Sequence, residues 1–201
     1  MILKSYEINK INQNINHLIL FYGKNEGLKN EATNSLIKDK NDILNYEEKE
    51  ILENQNNFIE NILSKSLFEK EKIIIINRCT EKIYDFIEEI TEKNIPDIKI
   101  ILNTNILEKK SKLRNLFEKS KKLVVIPTYK DNSLTLAEIT KKFFYDYKIS
   151  ISQETINLLV NRCNGDRGYL KLELEKILIY MQNKRNISLE EIYKLTNLSE
   201  N

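Results

Sequence analysis

A chain of 201 residues can bury one good core and a second, smaller one. Its charge is mixed, 31% charged residues with a formal net charge of +2, which argues against a basic nucleic-acid arm, an acidic tail or a lysine-arginine track along a phosphate backbone. Cys79, Cys163 and the single His17 have no metal-ligand spacing, and no stretch approaches the roughly 18 apolar residues of a membrane span, so a cytoplasmic protein with no metal, no membrane and a reducing environment is expected.

Ile8, Ile11 and Ile15 fall at helical spacing and predict a short N-terminal helix over Ser5–Ile15. Leu18–Tyr22 reads as a buried strand ended by Gly23. After a polar turn containing Gly27, the spacing of Leu28, Ala32, Leu36 and Ile37 predicts a helix through Lys38. Ile43–Tyr46 is a second strand, and Phe58, Ile59, Ile62 and Leu63 mark an amphipathic helix. Four β-branched residues in a row, Ile73–Ile76, fit a strand covered on both faces. A helix follows on Ile83, Phe86, Ile87 and Ile90, then a turn at Ile95-Pro96-Asp97, a strand at Ile98–Leu102, a helix over Lys110–Ser120, and a last strand, Leu123–Ile126, closed by Pro127.

Strands alternating with helices of about three turns predict a parallel five-stranded sheet with helices on both faces, ending near residue 130. Beyond that point only helical patterns occur. Leu136, Ile139, Phe143 and Phe144 mark one helix. Ile156, Leu159 and Val160 mark another, behind a capping Ser152. Leu170, Leu174, Ile177 and Leu178 mark a third, and Ser188 with Glu191 forms a capping box at the start of a fourth. The division is an α/β domain over 1–130 and a small all-helical domain over 131–201.

In a parallel α/β domain, phosphate binds at the turn after the first strand. That turn reads Gly23-Lys24-Asn25-Glu26-Gly27-Leu28-Lys29-Asn30. Against G-x-x-x-x-G-K-[ST] it has one residue too few between the glycines. Leu28 replaces the phosphate lysine, Lys29 replaces the magnesium-binding hydroxyl, and Glu26 adds a negative charge. The isoleucine strand ends in Asn77-Arg78 where an acidic pair would stand. No catalytic residue and no cofactor is expected. The carboxylate pairs Glu47-Glu48 and Glu88-Glu89 read as solvated surface, and His17 as satisfied or exposed.

Leu67 and Phe68 are two large apolar side chains in the connection between a helix and the isoleucine strand. They either tuck under the domain or project toward a partner. The turn Phe21–Leu28, the segment Ser66-Leu67-Phe68 just before a buried strand, and Cys163-Asn164-Gly165-Asp166 leading into Leu170–Ile177, taken in this order, resemble the delta subunit of the bacterial DNA polymerase III clamp loader. The resemblance implies an AAA+-like first domain with a degenerate P-loop and a helical lid. It also implies a third, collar domain that joins subunits into a ring, near whose start this chain ends at Asn201. Partners implied are the sliding clamp (beta) and the other clamp-loader subunits, with DNA met only through the complex. The clamp-binding residues carried over are Leu67 and Phe68, beside Ser66. Of the clamp-binding peptide Q-L-x-L-F only the final Leu-Phe is matched, with Ser64 and Lys65 at the first two positions. The alternatives are an active P-loop-type ATPase with an atypical phosphate loop, and a direct DNA binder using Arg114, Lys119, Lys121 and Lys122, which read more simply as a solvated helix face.

Overall fold

The computed structural model describes residues 1–12, 15–37, 43–63, 72–93, 98–181 and 186–196, with side chains of 61–63 left aside. Five strands, β1 (Leu18–Tyr22), β2 (Ile43–Glu47), β3 (Lys72–Cys79), β4 (Ile98–Thr104) and β5 (Val124–Pro127), form one parallel sheet in the order β2-β3-β4-β1-β5. The register pairs Leu20 with Leu102 and with Val125, and Ile74 with Leu44 and with Ile100. The helices in chain order are α1 (Glu26–Leu36), α2 (Glu48–Glu53), α3 (Gln55–Leu63), α4 (Tyr84–Lys93), α5 (Lys112–Lys119), α6 (Ser133–Asp146), α7 (Gln153–Cys163), α8 (Arg167–Met181) and α9 (Leu189–Leu195).

By internal contacts the chain forms two compact units. One holds Met1–Lys24 and Lys29–Thr128; the other holds Asn25–Leu28 and Tyr129–Asn201. In the first unit the sheet separates two cores. Successive strand residues point to opposite faces, so Ile74 and Ile76 join Leu20, Ile100 and Leu102 under α3, α4 and α5, where Phe58, Phe86 and Phe117 are buried. Ile73 and Ile75 face the other way, with Ile19, Phe21, Ile101 and Val124, against Ala32 and Leu36 of α1. This two-sided burial is what the unbroken isoleucine run requires.

The second unit packs α6 to α9 around Leu136, Phe144, Leu159, Leu170, Leu174, Ile177 and Ile192. Asn132, Ser152 and Ser188 each accept a hydrogen bond from the amide three residues on, at 2.8, 3.1 and 3.2 Å, and so fix three helix starts. Ser188 completes its capping box, its own amide donating to Glu191 at 2.9 Å.

Several sequence expectations change. The N-terminal helix is a 3-10 helix of six residues, Ser5–Lys10, and Ile15 is exposed. The chain ahead of it instead lies against β5, with Leu3 N–H donating to Val125 O and Val125 N–H donating to Met1 O, both at 3.0 Å. Helix α2 had no apolar stripe to announce it: of its residues only Ile51 and Glu48 are buried. Its Glu48 is not solvated surface. It accepts from the Thr80 amide at 2.6 Å and the Thr80 hydroxyl at 2.9 and 3.0 Å. Among the described residues no helix is long and apolar enough to cross a membrane, and no three His, Cys, Asp or Glu side chains group as metal ligands.

Candidate functional site

The turn after β1 is bonded to other parts of the chain within each unit. In the first unit, Gly23 has φ +136°, a conformation that favours glycine, and its amide donates to Asn105 O at 2.9 Å. A Cβ there would stand 2.1 Å from the carbonyl oxygen of Thr128. Thr128 is held in place by its amide and hydroxyl, which donate to Tyr22 O at 2.7 and 3.0 Å. Lys29, at the position of a P-loop hydroxyl, is 2% exposed and donates its ammonium to Thr104 O at 2.6 Å, at the end of β4. A cation stands where the P-loop chemistry needs a hydroxyl to hold one. Asn77, at the position of the acidic marker, accepts from Asn103 Nδ2 at 2.9 Å. The next residue, Arg78, is left-handed (φ +54°) and pairs with Glu47 at 2.6 Å.

In the second unit, Asn25 caps α1: the Leu28 amide donates to its Oδ1 at 3.0 Å. The Asn25 Nδ2 donates to Tyr129 O at 2.9 Å and to Asp131 Oδ2 at 2.8 Å. Arg167, at the start of α8, grips the same carboxylate through Nε to Oδ2 at 2.9 Å and Nη2 to Oδ1 at 2.6 Å. A Cβ on Gly27 would lie 2.4 Å from the Gly168 nitrogen, so the two glycines let the backbones meet directly. Phosphate oxygens bind such a turn through its free amides. Here one of those amides is bonded to Asn25 and the glycine face is covered by Gly168.

Sequence reasoning found the glycines, Leu28 and Lys29, and missed Asn25, Asp131, Arg167 and Gly168. Asn25 carries a local signal, an asparagine directly before a helical pattern. Asp131 and Arg167 lie 36 residues apart, and no local pattern joins them.

Arg114, read as part of a solvated face, is engaged instead. It pairs with Glu118 at 2.6 Å, donates to Leu107 O at 3.2 Å and lies 4.7 Å from the centre of the Tyr22 ring. Half-buried His17 keeps a buried Nδ1 without a hydrogen-bond partner among the described residues. Ser66, Leu67 and Phe68 lie outside the described residues.

The model of one protein family, "DNA polymerase III, delta subunit", matches residues 19–130. The chain belongs to the DNA polymerase III delta subunit family. No curated protein matches the sequence. Among solved structures, the Bacillus subtilis DNA clamp loader delta protein is similar at TM-score 0.60 and 15% identity, over 96% of this chain and 61% of that one. Domain III of the Thermotoga maritima replication initiation protein DnaA is similar at TM-score 0.51 and 16% identity, covering 96% and 88%. The Thermotoga maritima RuvB Holliday junction branch migration motor is similar at TM-score 0.60 and 14% identity, covering 94% and 63%. At such identities the shared feature is the fold, which is AAA+-like. The chain spans less than two thirds of the length of the Bacillus subtilis delta protein.

Proposed function

We propose that the chain acts as a clamp-loader subunit that binds the sliding clamp and helps open it for loading onto DNA, with no catalysis of its own. The observation that carries this reading is the delta-family match over 19–130, a span that includes Ser66, Leu67 and Phe68. The fold shared with the Bacillus subtilis clamp loader delta protein supports it. In this reading Leu67 and Phe68, beside Ser66, are an apolar knob that enters a pocket on the clamp. Residues 1–130 form the scaffold that carries it and 131–201 a helical lid. The other partners are the remaining clamp-loader subunits, and DNA is reached through the assembled complex in the cytoplasm.

Full burial of a Leu and a Phe is worth about 1.5–3 kcal/mol each, so the pair supplies about 3–6 kcal/mol. That is the scale of an interface hot spot. The test is a pull-down with the cognate sliding clamp. The wild-type chain captures the clamp, and Leu67→Ala/Phe68→Ala does not while melting at an unchanged temperature. A large fall in melting temperature would make the pair core residues instead.

The alternative, an active ATPase, is disfavoured by the Gly168 backbone against Gly27 and by Lys29 bonded to Thr104 O. Calorimetry separates the two readings: magnesium-ATP at millimolar concentration produces no binding heat if the chain works without nucleotide.

A further inference from the structure

We propose that Asp131 is a ligand built into the chain: its carboxylate fills an oxyanion site made by the Asn25 amide and the Arg167 guanidinium, and so takes over the role of a bound phosphate in holding the start of α1. The inference goes beyond clamp binding and stands whether or not the chain binds a clamp.

The geometry is that of a recognised anion. Arg167 presents two N–H groups to the two oxygens of one carboxylate, Nη2 to Oδ1 at 2.6 Å and Nε to Oδ2 at 2.9 Å. This is the planar fork with which guanidinium binds carboxylates and phosphates alike. Asn25 adds a third donor to Oδ2 at 2.8 Å. The pair is secluded, the Arg167 side chain being 13% and the Asp131 side chain 6% exposed, so its attraction is poorly screened. Asn25 transmits the anion's position to the helix, because the same side chain accepts from the Leu28 amide at 3.0 Å and donates to Tyr129 O at 2.9 Å. Because Asp131 is tethered to the site by the chain, its effective concentration exceeds that of a free competing anion.

Removing the carboxylate takes away the acceptor that Asn25 Nδ2 and Arg167 Nε and Nη2 share. Asp131→Ala in the full chain is therefore expected to melt below wild type in chloride. Inorganic phosphate at matched ionic strength should raise its melting temperature in a saturable way. Wild type should show no such rise, and neither should Asp131→Ala/Arg167→Ala. If Asp131→Ala is unfolded in chloride, the same titration is read as recovery of its circular dichroism. Phosphate that leaves Asp131→Ala unchanged, or that raises all three proteins equally, overturns the proposal.

Discussion

Gly27 and Gly168 show how one atom decides a packing arrangement. Helix propensity alone favours alanine over glycine by about 1 kcal/mol. At Gly27 the added carbon would stand 2.4 Å from the Gly168 nitrogen and 2.9 Å from its Cα, so backbone has to move. Gly27→Ala is expected to destabilise by about 1–3 kcal/mol in a urea titration. Gly168→Ala, whose nearest neighbour is the Asp166 carboxylate at 3.3 Å, should be far milder. The cysteines make a second residue-scale prediction. Burial pushes the Cys163 thiol from 9.0 up to about 12, with Glu173 and Asp166 adding to the rise. Burial likewise raises Cys79, with Glu48 adding. Neither thiol should react with a disulfide reagent in the folded protein at neutral pH, and both should react in denaturant. Because its folded-state value is raised, the stability the protonated Cys163 thiol contributes is complete below pH 9.0 and is lost as pH climbs toward about 12, and the raised Cys79 acts in the same direction. Over that window a Cys79→Ala/Cys163→Ala protein should lose less melting temperature than wild type.

At the scale of elements, what the sequence made legible was whatever periodicity writes. The isoleucine run became β3, buried on both faces, and Leu18–Tyr22 became β1 with all five residues buried. Ser188 and Glu191 formed the capping box their spacing predicts. Illegible elements lacked an apolar stripe. Helix α2 is held by Glu48, whose bonds to Thr80 join residues 32 apart. The N-terminal residues belong against β5 because of backbone pairing with Val125, which leaves no side-chain pattern. Glu48→Ala removes the acceptor of both Thr80 donors and should cost about 1–2 kcal/mol of unfolding free energy. A change within a few tenths would mean that solvent replaces those bonds.

For the whole molecule, the sequence was enough for the family and for the departure of the turn from the P-loop pattern, since both rest on the order of elements and on residues within one turn. It was not enough for what fills that turn, because Asp131, Arg167 and Gly168 meet Asn25 and Gly27 only through tertiary folding. The residues of that turn are bonded within the chain, Lys29 to Thr104 O in the first unit and Asn25 to Asp131 in the second. In the proposed role the chain therefore engages the clamp with no nucleotide bound. The most direct measurement is a titration of the cognate sliding clamp, with and without magnesium-ATP, using wild type and Leu67→Ala/Phe68→Ala. The predicted result is one wild-type dissociation constant in both conditions and a loss of roughly 100-fold or more in the double variant, the equivalent of about 3 kcal/mol. Wild-type affinity that appears only with ATP, or a double variant that binds as tightly as wild type, would contradict it.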